Sequence, residues 1–313
     1  MKKSSIIFLV FLIFAIFITF MSKPFAEHKP TVAVVLKNID SQYWQIVKKG
    51  LEKGFRDFNL VGEVHAPLNE TIEEQSALLM DILNQEPDLL IVSSVSSDII
   101  PILMKFHEIN IPVLLLDTDD PWKHKTAYIG TNNVEIGKMA GAFLATQLQP
   151  GDEVALISGN INQAVSASRI EGATINLERA AIKVATLKAD VKNEKILAKR
   201  AMEEILIEYP HIKGVYAVND IRALGAMEAI MEQGLEIPVI GADGLIEMIE
   251  LIDEGEIRGT VAQNPYDMGY LSVETARKVL VGETIERTIN SGVDFIIKEN
   301  AKQKINFLEN LLR

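Results

Sequence analysis

Carboxylates recur at matching positions in the two halves of this chain. From Asp98 to Asp117 an acidic start and a helix-spaced stretch lead into Ile111-Pro112-Val113-Leu114-Leu115-Leu116-Asp117. From Asp220 to Asp243 the same plan closes on Ile237-Pro238-Val239-Ile240-Gly241-Ala242-Asp243. A carboxylate can accept two hydroxyls at once in fixed planar geometry, and carboxamides both donate and accept, which is the chemistry of polyol recognition. Other polar side chains fall at the same kind of boundary, just after an apolar run. Asn38 and Asp40 follow the first strand, Ser93 follows Leu89-Leu90-Ile91-Val92, Asn219 follows Val215-Tyr216-Ala217-Val218, and Gln263 follows Gly259-Thr260-Val261-Ala262. Tyr43 and Trp44 open the first helix beside them, where an aromatic face could stack on the C–H face of a sugar ring. Simpler roles compete: Asp98 and Asp220 are most simply helix N-caps, Asn219 could be part of the second cap, and Trp44 could be a core residue.

The elements that must position these residues alternate along the chain. Thr31 to Leu36 is a continuous apolar run, as expected of a strand covered on both faces. Helical spacing follows from Tyr43 to Phe58, and strand and helix then alternate to a second restart at Glu153 to Ser158. Such alternation implies βαβ units, right-handed crossovers and parallel sheets, with ligands bound beyond the carboxyl ends of the strands. At 313 residues the chain exceeds one ordinary hydrophobic core, so two lobes facing each other across a cleft are expected. No flexible linker separates the halves, which predicts several short crossings between lobes.

Composition excludes several functions. A formal net charge of -12 argues against a nucleic-acid surface and against docking on anionic lipid. With no cysteine there is no disulfide, no thiolate nucleophile, no cysteine metal site and no acylated lipoprotein anchor. The five histidines lack ligand spacing, and no nucleophile elbow, zinc-protease helix or phosphate loop occurs, so neither an enzyme nor a metal or organic cofactor is expected. Paired acids in a cleft could serve glycoside hydrolysis, which keeps a glycan-processing enzyme as a rival. Lys2 and Lys3 precede an apolar stretch from Ile6 to Met21, which reads as an export segment, either cleaved or retained as a signal anchor. The remainder is then exported, to the periplasm or the outer face of the cytoplasmic membrane.

In order and spacing, these pieces resemble the type 1 periplasmic sugar-binding proteins, the group of ribose, galactose and xylose receptors. The resemblance covers almost everything after Lys29. It runs through Val32-Ala33-Val34-Val35, Tyr43-Trp44, Pro87-Asp88-Leu89-Leu90-Ile91 and the strand ending at Asp117. It continues through Ile129-Gly130-Thr131-Asn132-Asn133, Arg169-Ile170-Glu171-Gly172, Ala217-Val218-Asn219-Asp220, Gly241-Ala242-Asp243-Gly244 and Val261-Ala262-Gln263-Asn264-Pro265. The resemblance implies an α/β fold of two doubly wound parallel-sheet lobes joined by a three-segment hinge, preceded by the export or anchor segment. Its boundaries would be 1–29 for that segment, 30–131 plus 264–291 for the N-terminal lobe, and 132–263 plus 292–313 for the C-terminal lobe. It implies sugar contacts from Asp117, Asn219, Asp243 and Gln263, stacking by Tyr43 and Trp44, and hinge crossings near Thr131, Gln263 and Asn290. The sequence departs from the family at Ser41, Ser93, Ala167 and Ala242, where the family carries a polar residue, an asparagine, an arginine and an aromatic. Arg169 is the candidate to replace the missing arginine. The implied mechanism is hinge closure on a monosaccharide, with an ABC-type transporter permease as membrane partner and the chain monomeric otherwise. The alternative is an anchored receptor signalling to a sensor histidine kinase. A DNA-binding repressor of the same fold would need a basic helix-turn-helix where this chain has its apolar segment.

Overall fold

In the computed structural model the described residues are 29–313, and Thr31–Arg313 form one compact unit. The apolar stretch from Ile6 to Met21 lies outside the described residues.

The first lobe is built from five parallel strands in chain order: β1 (Thr31–Val35), β2 (Val61–His65), β3 (Leu89–Val92), β4 (Val113–Leu116) and β5 (Ala127–Gly130). Helices α1 (Gln42–Asp57), α2 (Ile72–Leu83) and α3 (Ile100–Glu108) connect them, a 3-10 turn at Ser97–Ile99 preceding α3. The three central strands β1, β3 and β4 are almost wholly buried because helices cover both faces, which explains their unbroken apolar runs. A sixth strand, β12 (Thr288–Asn290), joins the edge beside β5, giving the order β12-β5-β4-β3-β1-β2.

After α4 (Asn133–Ala145) the plan repeats with β6 (Glu153–Ile157), α5 (Ala164–Arg179), β7 (Lys183–Lys188), α6 (Lys195–Glu208), β8 (Gly214–Ala217), α7 (Asp220–Glu232), β9 (Val239–Ile240) and β10 (Ala242–Asp243). Only Gly241 interrupts β9 and β10, which pair with β8 and β11 respectively and so join a four-stranded sheet to a three-stranded one. The lobe is completed by α8 (Ile246–Glu254), β11 (Thr260–Gln263), α9 (Pro265–Leu280), which returns to the first lobe, β13 (Val293–Ile296) and α10 (Lys298–Leu312). Each lobe therefore has the doubly wound order 2-1-3-4-5, whose strand ends open on a ligand crevice.

One strand departs from the expected all-parallel pattern: β13 runs antiparallel to β11. The reason is geometric. The chain passes between the sheets of the two lobes three times, after β5, after β11 and after β12. Strand β11 ends at such a crossing and β13 begins at one, with Gln263 opposite Val293. Two neighbours that respectively end and start at one edge must run in opposite directions.

Tight helix crossings fix the lobes internally. A Cβ on Gly50 of α1 would stand 2.0 Å from the Tyr266 carbonyl of α9, and one on Gly172 of α5 would stand 2.1 Å from the Val134 carbonyl of α4. Only hydrogen fits at either contact, so backbone packs on backbone.

Candidate ligand-binding cleft

The two repeated carboxylates sit at corresponding places with the same unusual backbone. Asp117 leaves β4 at φ 65° and Asp243 ends β10 at φ 122°, both in the region that side chains avoid. Strain of this kind persists only where surrounding structure imposes it, and it concentrates at functional sites. Here it turns both carboxylates out of their strands toward the same crevice.

Each is then held by a cation. Lys37, just after β1, donates from Nζ to Asp117 Oδ2 at 3.2 Å and to Thr118 Oγ1 at 2.7 Å. Arg169 of α5, 3% exposed, donates from Nη1 to Asp243 Oδ1 at 2.9 Å and to the Val218 carbonyl at 2.7 Å, and from Nε to Asn133 Oδ1 at 2.9 Å. Burial works against the Arg169 charge, but Asp243 more than offsets it and raises its pKa further. Burial pushes the Asp243 carboxyl up, while Arg169 and the Gln263 amide pull it back.

Tyr43 ties the halves together. Its hydroxyl donates to Asp117 Oδ1 at 2.8 Å and lies 3.5 Å from Gln263 Oε1, while Gln263 Nε2 donates to Asp243 Oδ1 at 2.8 Å. Burial, and next the charge of Asp117, raise the Tyr43 pKa well above its ordinary value, so it acts as a neutral donor. Gln42 adds a second bridge, its Oε1 accepting from the Ile246 amide at the start of α8. The chain Lys37–Asp117–Tyr43–Gln263–Asp243–Arg169 thus lines both strand-end edges with planar acceptors and charged donors.

Five predicted residues meet here: Tyr43, Asp117, Arg169, Asp243 and Gln263. Others are placed differently. Trp44 is 6% exposed and belongs to the first-lobe core, edge-on to Tyr43 with Lys37 Nζ 5.8 Å from its ring centre. Asp40 is exposed and Asn38 donates to Glu70, so neither joins the network. Ser93 is fully buried at the end of β3, its hydroxyl without a hydrogen-bond partner. Thr131 lies in the first crossing, its hydroxyl 3.2 Å from that of Ser291 in the third. Asn219 caps α7 through the Arg222 amide and donates to Asn193.

The two aspartates read as possible caps are not caps. Ser96 caps the turn that contains Asp98. Asp220 is the first residue inside α7 and is fully buried, its Oδ2 accepting the Gly244 and Leu245 amides at 2.6 and 2.8 Å and its Oδ1 the Thr260 hydroxyl at 2.7 Å. It is the clamp on the loop after Asp243. Burial raises its pKa to about 7.

Sequence reasoning missed Lys37, Gln42 and Arg222. Arg222 is 8% exposed and donates from Nε and Nη2 to the Val191 carbonyl, and burial lowers its pKa to about 10. Charged side chains next to the ends of buried strands are the signal that could have pointed to Lys37. Nothing local marks the other two.

Two lobes of repeated doubly wound topology, crossed three times and edged with paired carboxylates, define a cleft-type receptor for a small polar molecule. Residues 32–284 match the periplasmic binding protein domain, and the chain belongs to the type 1 periplasmic sugar-binding family. It is 30% identical over 264 residues to the ribose import binding protein of Bacillus subtilis, covering 83% of this chain and 85% of that one. It is 30% identical over 251 residues to the D-allose-binding periplasmic protein of Escherichia coli, covering 76% and 80%. The structure superposes with a TM-score of 0.82 on an ABC-transporter solute-binding protein from Actinobacillus succinogenes with bound D-allose, at 25% identity and over 88% and 100% of the two chains. Family members are binding proteins, not enzymes.

Proposed function

We propose that the protein captures a small sugar between the strand ends of its two lobes and presents it to an ABC-type sugar importer outside the cytoplasmic membrane. The observation that carries this reading is the matched pair Asp117 and Asp243, each turned out of its strand at positive φ and bridged through Tyr43 and Gln263. Without sugar these groups satisfy one another. A bound sugar exchanges its hydroxyls into the bonds that Tyr43 and Gln263 now make, while Lys37 and Arg169 keep both carboxylates aimed. Donor–acceptor exchange costs little net energy, so affinity comes from the fixed geometry and from ring stacking on Tyr43.

Closure divides the chain at 30–131 plus 264–291 against 132–263 plus 292–313, rocking about the three crossings. A ligand that touches both inner faces favours the closed state by its differential affinity, and the membrane partner reads the closed shape. Ribose and allose lead the candidates because the relatives are named for them. Calorimetric titration with pentoses and hexoses tests the reading: one sugar or a related few should bind, and Asp117→Ala or Asp243→Ala should each abolish it. Unchanged affinity in both variants would remove the cleft from consideration.

A second reading shares the ligand but changes the partner. The apolar stretch from Ile6 to Met21 and the absence of cysteine suit a retained anchor, and with it a membrane sensor kinase. N-terminal sequencing of the membrane-associated protein separates the two, since a chain starting near Glu27 removes the anchor.

A further inference from the structure

The cleft does not end at the hinge glutamine. A cavity of ≈ 580 Å³ is lined by Tyr43, Asp243 and Gln263 together with Tyr266 of α9 and Phe307 of α10. That is roughly the room of twenty waters, well beyond what one sugar ring displaces, and mid-range for small-molecule sites of about 300–1,000 Å³.

The far end has its own chemistry. Phe307 is 47% exposed, an aromatic left open on a helix that otherwise presents polar residues outward. Tyr266 stands at right angles to it, with ring centres 6.1 Å apart and planes at 89°, and both rings line the cavity. Around the rings stand planar hydrogen-bonding groups. Lys304 donates to Asp294 Oδ2 at 2.8 Å and to Asn264 Oδ1 at 3.3 Å, and its Nζ lies 6.0 Å from the Phe307 ring centre. Asp267 also lines the cavity, its carboxyl pKa raised by partial burial against the opposing charge of Lys304. Aromatic faces flanked by carboxylates and amides suit a flat ring that is apolar on its C–H face and rimmed by hydroxyls.

We propose that this end is a subsite for a second sugar ring, so that the preferred ligand is a disaccharide whose first ring lies at Asp117 and Asp243 and whose second stacks on Phe307 with Tyr266 beside it. The inference rests on the sugar-binding reading above. It makes Phe307, Tyr266 and Asp267 specificity residues that act on the second ring alone.

The test is isothermal titration of the purified protein with ribose, allose, glucose and galactose, and with maltose, cellobiose and lactose, repeated on Phe307→Ala and Asp267→Asn. Both substitutions are at exposed positions, and a thermal unfolding transition for each variant confirms that it is folded. At least one disaccharide should bind ten-fold or more tightly than its component sugars, and each variant should lose most of that advantage while monosaccharide affinity stays within two-fold. Disaccharides binding no better than their components, or variants weakening both sizes equally, overturn the subsite and leave the monosaccharide reading standing. Binding of neither size removes the sugar reading and the subsite with it.

Discussion

Removing the Asp220 carboxylate should do about as much damage as removing Asp243 and more than removing Asp117, although Asp220 is not proposed to touch ligand. In the folded chain Asp220 Oδ2 accepts two backbone amides, Gly244 at 2.6 Å and Leu245 at 2.8 Å, and Oδ1 accepts the Thr260 hydroxyl at 2.7 Å. Asp220→Ala strands all three donors in a fully buried place. Each buried donor left unmade costs about 1–3 kcal/mol. Relief from burying a carboxylate offsets part of this, and the Thr260 hydroxyl can rotate to another acceptor, so a net loss of about 3–5 kcal/mol is expected. That is a large share of the roughly 5–15 kcal/mol that holds a folded protein. Asp220→Asn is the informative control. Its amide oxygen can take the place of Oδ2 for both backbone amides, and its NH2 can donate to a rotated Thr260 hydroxyl, so the loss should stay under about 1.5 kcal/mol. Urea unfolding followed by circular dichroism gives both numbers. Sugar affinity should fall in Asp220→Ala as well, because Gly244 and Leu245 position Asp243. If Asp220→Ala proves as stable as the parent, or Asp220→Asn is equally harmful, the clamp argument is wrong.

Three further outcomes follow from the same geometry. Because burial raises the Asp220 pKa from 3.8 to about 7, the folded state holds its proton more tightly than the unfolded chain. The stability this contributes is present below pH about 4 and lost as pH rises through about 7. The difference in urea midpoint between parent and Asp220→Asn should therefore vary across that window and be flat above it; a constant difference would contradict the assignment. Asp243→Ala leaves the Arg169 guanidinium buried without its carboxylate, a loss of about 3–5 kcal/mol, whereas Asp117→Ala frees the half-buried Lys37 toward water and should cost under about 1.5 kcal/mol by the same chemical unfolding. Gly172→Ala forces a Cβ to within 2.1 Å of the Val134 carbonyl, so α5 must shift and carry Arg169 with it. Thermal unfolding should show the destabilisation, and calorimetry a matching loss of sugar affinity.

Much of this architecture was legible in the sequence because the pattern is local. Strands β3, β4 and β8 are unbroken apolar runs, and Asp117 and Asp243 end their strands within a repeated Ile-Pro-Val frame. What escaped was set by distance along the chain. Strand β12 is two exposed residues flanking one half-buried one, with no hydrophobic signal, paired only because α9 returns the chain to the first lobe. The direction of β13 depends on where the crossings fall, which no periodicity records. Asp220 read as a cap because acidic residues at helix starts usually are; its partners Gly244 and Thr260 are brought to it by β10 and β11. Lys37 and Arg169 could be seen as charges, but not as the groups that neutralise Asp117 and Asp243, since each pair spans about half the first lobe or more in sequence. Trp44 followed Tyr43 into the candidate list by adjacency, yet successive residues on a helix point about 100° apart, so one faces the cleft and the other the core.

The most direct test of the central claim is titration of the purified protein with ribose and allose beside the Asp117→Ala and Asp243→Ala variants, using chemical unfolding to check that each variant is folded. Saturable binding of one or both sugars to the parent, lost in both folded variants, is the predicted result. A parent that binds neither of these nor any other pentose or hexose, or folded variants that bind as the parent does, would contradict the account.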